Sequence, residues 1–281
     1  MLNIPQDQAA GLRRIMAAPA PRIISIISAA STHDKSRLMT NLAASISDQG
    51  NKTLVIHASK ESSETFYGIN SLPTLVDTAT KKIALTKAIR MSQHGFSIAK
   101  MMQKSQLDQM LNHSMSEYLT GLFNTLANQY EILLVDASLN KAHLLPISLL
   151  NDGEIIIQLT REPESIKDAY AMIKNIYSQL GRRHFGIMVD NATEHQAKVV
   201  FNNISSVAKR YMRVELEFFG AIPKDDHLSK ASQLGRSVIE AFPLATASNA
   251  FKKMALKLNY KHATPAELSP AHFTQEQYAC V

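Results

Sequence analysis

The residues best suited to chemistry stand where the first apolar run turns into a helical pattern. Ser28-Ala-Ala-Ser-Thr-His-Asp-Lys35-Ser36 follows the β-branched stretch RIISIIS at 22–28. A phosphate loop has the form G-x-x-x-x-G-K-[ST]. Its glycines let backbone N–H groups wrap the phosphates, its lysine meets the β/γ oxygens and its hydroxyl binds Mg²⁺. Lys35 and Ser36 hold the last two places, but the glycine places hold Ala29 and Asp34. Asp34 puts a negative charge where a phosphate would lie. Taken alone the motif is half present, and an ordinary strand-to-helix turn explains it as well. A second chemical group, Asp136, ends the apolar run Glu131-Ile-Leu-Leu-Val-Asp136. The ten histidines are scattered and show no metal-ligand spacing such as H-E-x-x-H. Packed or solvated rings are the expectation, and no metal site is assigned. His33 and His57 stand apart only because both fall at the mouth of the same turn.

The elements that must position these groups alternate along the chain. A strand at 22–28, a helix from Lys35 to Asp48 and a strand from Thr53 form a unit the size of a βαβ crossover. Further strands are expected at 96–101, 131–136, 154–159, 185–189 and 214–219. Helices are expected at 107–127, 165–180, 195–211, 225–234 and 246–258. Pro163 opens the 165–180 helix and Gly181 closes it. This order predicts an α/β fold, a doubly wound and mainly parallel sheet with helices on both faces. Three segments follow: residues 1–21 ending in Ala-Ala-Pro-Ala-Pro as leader and linker, one α/β domain at 22–258, and a loose tail at 259–281. Asn249 to Leu258 places Phe251, Met254, Ala255 and Leu258 on one face with Lys252, Lys253 and Lys257 around it. Such a helix can lie on a membrane, but ordinary core packing is the favoured expectation. The methionines near 101–115 are likewise assigned to packing.

Composition narrows the classes. The chain has 281 residues, with 45% hydrophobic and 19% charged, enough to bury a full core. Its single cysteine, Cys280, excludes a disulfide framework and a cysteine zinc site. No apolar run reaches a membrane-spanning length. The start MLNIPQDQAAGLRR lacks the basic-then-apolar order of a secretion signal. A cytoplasmic protein, peripheral to the inner membrane face at most, is therefore expected. The net charge of +6 comes without a dense Lys/Arg block, so no nucleic-acid partner is expected. Glycine is scarce, with ten residues against a usual share of roughly 7%.

Four stretches carry a family resemblance. Asp7-Gln-Ala-Ala-Gly-Leu-Arg-Arg14 is similar to a DQAxxLR leader. Lys35-Ser-Arg-Leu-Met-Thr-Asn-Leu-Ala43 resembles the helix after a phosphate loop. Residues 160–174, TREPESIKDAYAMIK, resemble TPEPTSxxDAYAxIK. Phe219-Gly-Ala-Ile-Pro-Lys-Asp225 with Gly235-Arg-Ser-Val-Ile-Glu-Ala-Phe-Pro243 resembles GxIPxD and RxVxEAxP closing elements. Together they resemble the MinD/ParA branch of P-loop ATPases, and within it the flagellar-number regulators of the FlhG/FleN type. The resemblance implies a P-loop NTPase fold and names Lys35, Ser36 and Asp136 as nucleotide-site residues, with Asp136 holding Mg²⁺ through water.

The departures fall on the family's catalytic parts. Its loop reads roughly KGGVGKT, and the first lysine reaches across an ATP-bridged dimer; here that place holds Ala30. Its second strand ends in Asp-x-Asp; here it ends in His57-Ala58-Ser59. Its DTGAG is Asp136-Ala-Ser-Leu-Asn140. A pseudo-ATPase is therefore expected, with no catalytic residue assigned. Weak ATP or ADP binding with Mg²⁺ stays open, and a glycine-poor loop is expected to pay in backbone strain. The alternatives are an active but atypical ATPase cycling between monomer and dimer, and a partition or exopolysaccharide-related ParA-like protein. The resemblance further implies that Asp7, Gln8, Leu12 and Arg13 bind a flagellar signal-recognition-like GTPase of the FlhF type. An intact MinD-like homologue is a second partner the sequence leaves open.

Overall fold

The computed structural model describes residues 21–59, 68–106, 113–140, 143–147 and 149–258. The leader residues Asp7, Gln8, Leu12 and Arg13 and the tail after Leu258 lie outside the described residues.

Apolar residues on both sides of each strand demand cover on both faces, and the chain supplies it. The strands are β1 (Arg22–Ser28), β2 (Thr53–Ala58), β3 (Ile89–Met91), β4 (Ser97–Lys100), β5 (Ile132–Ala137), β6 (Glu154–Leu159), β7 (Phe185–Val189) and β8 (Leu216–Ala221). They form one sheet in the order β3-β4-β2-β5-β1-β6-β7-β8. All neighbours are parallel except the short edge strand β3, which runs antiparallel to β4. The helices are α1 (Thr32–Asp48), α2 (Leu75–Thr80), α3 (His113–Ala127), α4 (Leu149–Asp152), α5 (Pro163–Leu180), α6 (Glu194–Met212), α7 (Asp226–Gln233), α8 (Val238–Ala241) and α9 (Thr246–Leu258).

The period of two within strands sorts the core into two layers. Leu54, Ile56, Leu133 and Val135 face Leu119 and Phe123 of α3 and Ile173 and Ile176 of α5. Val55, Ile24, Ile26 and Leu134 face Leu38, Leu42 and Ile46 of α1 and Phe251 and Met254 of α9. The basic amphipathic stretch at 249–258 thus spends its apolar face on the core, as the packing expectation had it. Gly220 makes this possible: a Cβ there would come within 2.6 Å of the Met254 side chain. Met101 and Met102 are buried as expected.

Most expected elements fall within a residue or two of their observed ends. The helix expected from Leu107 is described from His113 onward, and 107–112 lie outside the described residues. The sequence reading missed α2, α4, α8 and β3, each six residues or fewer, too short to show a period. A further difference matters for the site. The helix expected from Lys35 begins at Thr32, three residues earlier.

Candidate functional site

The carboxyl ends of β1, β2, β5, β6 and β7 converge on the first turn, the usual ligand edge of such a sheet. That turn is closed upon itself. Ser31 caps α1, its hydroxyl accepting from the Asp34 amide at 3.1 Å. The Ala29 amide donates to the Gln158 carbonyl, the Ala30 amide to Ser28 Oγ and the Lys35 amide to the Ser31 carbonyl. N–H groups that a phosphate loop would turn toward its ligand are here used inside the chain. None of residues 29–36 has a positive φ, so the expected backbone strain does not arise. Without glycines the segment winds into the first turn of α1 instead, where a serine cap and an N-terminal acid favour it. The acid is Asp34, which accepts from Ser31 Oγ at 2.7 Å and from Arg37 at 2.8 Å.

Parallel register brings His57 and Asp136 side by side on β2 and β5. His57 Nδ1 lies 2.8 Å from Asp136 Oδ2. Lys35 rises from α1 to meet the same carboxylate: its Nζ sits 2.5 Å from Oδ1 and donates to the Ala137 carbonyl at 2.5 Å. The Lys35 and Asp136 side chains are 6% and 1% exposed. Burial alone would raise the Asp136 pKa, but the Lys35 charge and the His57 hydrogen bond outweigh it and lower it to about 2. Asp136 is therefore ionised, and Lys35 is committed to it. Ser36 is buried on the same turn. Sequence reading thus named two members of this cluster and set the third, His57, apart only for its place with His33 at the mouth of the turn. His33 is exposed on α1 while His57 is buried on β2.

A second polar chain runs beside the first. Ser28 Oγ donates to Gln158 Oε1 at 2.9 Å, and Gln158 Nε2 donates to Asp190 Oδ2 at 2.9 Å. Arg37 approaches Asp190 Oδ2 at 3.7 Å. Burial pushes the Asp190 pKa up, and Arg37 opposes it only in part. Sequence reasoning missed these residues. The usable signal was an amide or acid closing an otherwise apolar strand: Gln158 in EIIIQL and Asp190 directly after FGIMV, the pattern that had singled out Asp136. The Asp225 of the Ile-Pro-Lys-Asp stretch turns out to tie two helix starts, accepting from the His227 and Ala247 amides.

Comparison with known proteins shows what the chain resembles. No family profile matches the chain. The antiactivator FleN of Pseudomonas aeruginosa is 26% identical over 228 residues, 80% of this chain and 81% of that protein. Among solved structures, the MinD cell division protein of Aquifex aeolicus superposes with a TM-score of 0.64 at 18% identity, covering 84% of this chain and 96% of its own. A ParA family ATPase of Chlorobium tepidum gives 0.63 at 17% identity over 84% and 98%. The chain has the fold of the MinD/ParA-like P-loop proteins and is similar to FleN. Its eight-stranded sheet is that fold, and the β1–α1 turn stands at the fold's phosphate loop. Among the described residues, no helix is long and apolar enough to cross a membrane.

Proposed function

We propose that this FleN-type chain is a MinD-like regulator of flagellar number or placement that acts through protein contacts and has given up nucleotide hydrolysis. The observation that carries the second half is the burial of Lys35 on Asp136 and the Ala137 carbonyl. Lys35 is then occupied by the acid that would hold Mg²⁺. To receive a nucleotide, the chain has to extract Lys35, unwind the first turn of α1 and place a phosphate beside Asp34. Each step opposes binding, and a total of about 4 kcal/mol weakens a micromolar ligand to about millimolar. The likeness to an antiactivator supports a regulatory role for the intact remainder of the fold.

Calorimetric titration with Mg²⁺-ATP and Mg²⁺-ADP, a hydrolysis assay and size-exclusion chromatography with ATP test the reading together. No binding tighter than millimolar, no turnover and no ATP-driven dimer are expected, Ala30 standing where the bridging lysine would be. Micromolar binding with turnover, or a monomer–dimer shift on adding ATP, sinks it. The proposed partner is a signal-recognition-like GTPase engaged by residues 6–16, with Gln8 helping to order the attacking water and Leu12 and Arg13 anchoring the contact. A peptide of residues 1–18 is expected to speed that GTPase, and Gln8→Ala to remove the effect. An unchanged rate with both peptide and full chain removes this partner from the proposal.

A further inference from the structure

A cavity of about 470 Å³ opens on the other side of α1, between that helix, the β3–β4 hairpin, α7 and the turn at Gly235. It shares no residue with the Lys35–Asp136–His57 cluster. Arg37 enters from α1, Arg90 from β3 and Arg236 from the turn after α7, while His94 and Phe96 line the hairpin side. No Asp or Glu is among its described lining residues. Three arginines line one space of small-molecule size, a lining that suits an anionic ligand.

The carboxylates that do approach come from outside the lining. Asp34 holds Arg37, and Glu240 holds Arg236 at 2.9 Å. The second pair is half exposed on both sides, so it is weak and exchangeable. Arg90 donates to the Gly68 carbonyl, and Gln93 to the Gly235 carbonyl, which closes the rim. An independent sign lies in His94. Its ring packs over Phe96 with centroids 6.0 Å apart and an interplanar angle of 28°. Its Nδ1 is buried without a hydrogen-bond partner, and the nearest carboxylate oxygen, on Glu240, is 3.9 Å away. A buried polar atom left unpaired costs stability, roughly 1–3 kcal/mol, which a ligand atom in the cavity would recover.

We infer that this cavity binds a phosphorylated small molecule. Arg236 and Arg90 meet the phosphate oxygens, and His94 Nδ1 takes up a hydrogen bond to the ligand. Guanidinium forks suit phosphate geometry better than single-point cations do. The walls of Phe96, Ile98 and Leu228 give the remainder of the ligand an apolar seat. This inference is independent of the flagellar reading.

The test is thermal shift followed by calorimetry on the full chain, with inorganic phosphate, AMP and GMP as probes and sodium chloride at matched ionic strength as control. At least one phosphate-bearing probe is expected to raise the melting temperature saturably. Arg236→Gln, a surface change that should leave the fold intact, is expected to weaken that probe at least about tenfold. Lys253→Ala, which removes an exposed charge on α9, is expected to leave the affinity unchanged. A response to AMP or GMP but not to phosphate assigns an organic phosphate; a response to all three assigns the phosphate group alone. The inference fails if no probe acts beyond the salt control, if Arg236→Gln and Arg90→Lys both bind like the parent, or if Lys253→Ala weakens binding as much as Arg236→Gln does.

Discussion

Two sites flank one helix, and they treat charge in opposite ways. On one side of α1, Lys35 and Asp136 neutralise each other in the interior with His57 at their side. On the other, Arg37, Arg90 and Arg236 line an open cavity, and the opposing acids stand behind them. Lys35 and Arg37 are only two residues apart, yet helical geometry sends them to different regions. A charge in the first region is part of the fold, because removing either partner strands the other in low dielectric. In the second, Arg236 and its partner Glu240 are half exposed, and that charge costs little to alter. The turn at the phosphate-loop position therefore leaves no hole: Lys35 and Asp136 meet there as cation and anion, and the chain is ordinary helix from Thr32 onward.

The sharpest way to break this contrast is Asp136→Ala against Arg236→Gln. The first leaves the Lys35 ammonium buried with only the Ala137 carbonyl in reach. A destabilisation of about 3–5 kcal/mol is expected, or roughly 10 °C in melting temperature. The second should cost under about 0.5 kcal/mol. Equal losses in urea unfolding would show that the two regions do not differ as described.

Acid sharpens the same point. The Asp136 pKa is lowered from 3.8 in the unfolded chain to about 2 in the fold. Its contribution is therefore complete above the unfolded value and is lost as the pH falls through the folded one. The shift is worth about 2 kcal/mol. Unfolding curves of the parent and of Asp136→Asn should lie furthest apart above pH 5 and converge toward pH 2. A gap that stays constant over that range would mean that the ionised carboxylate is not what binds Lys35.

What could be seen in advance follows the range of each interaction. Strand alternation and helix periods are local, so β1, β6, β7 and α9 were expected at the bounds they have. The family motifs singled out Lys35 and Asp136, and the parallel register of β2 with β5 set His57 beside Asp136. Two features were not legible. The pairing of Lys35 with Asp136 spans 101 positions in sequence and depends on side-chain direction. The early start of α1 depends on Ser31 acting as cap, although Ser-Thr-His-Asp carries a usable signal, a serine followed three residues later by an acid. The arginine cavity was the least visible of all. Its three cations come from three separate elements, one of them the edge strand β3 that was too short to expect.

The smallest expected effect lies between the two regions, at Asp190. Its carboxylate accepts from the Asn191 amide and from Gln158, with Arg37 at 3.7 Å. Burial raises its pKa, and Asp34 adds to the rise, while Arg37, the Asn191 amide and Gln158 lower it. Since the raising influences prevail, the ionised form is a net cost to the fold. The sign is then opposite to that at Asp136. The cost is present above the raised folded pKa, shrinks as the pH falls through it, and is gone below the unfolded value near 3.8. Asp190→Asn removes the charge and can keep the hydrogen bonds if Gln158 turns its amide over, its Nε2 then donating to Ser28 Oγ. A gain in stability at neutral pH is expected, fading as the pH falls through the raised folded pKa. Arg37 also loses a partial counter-charge in this variant, so phosphate probes should bind in the arginine cavity as well as before or slightly better. A loss of stability at neutral pH would instead identify Asp190 as a necessary anchor for Arg37, and would tie the two regions into one charge network rather than two.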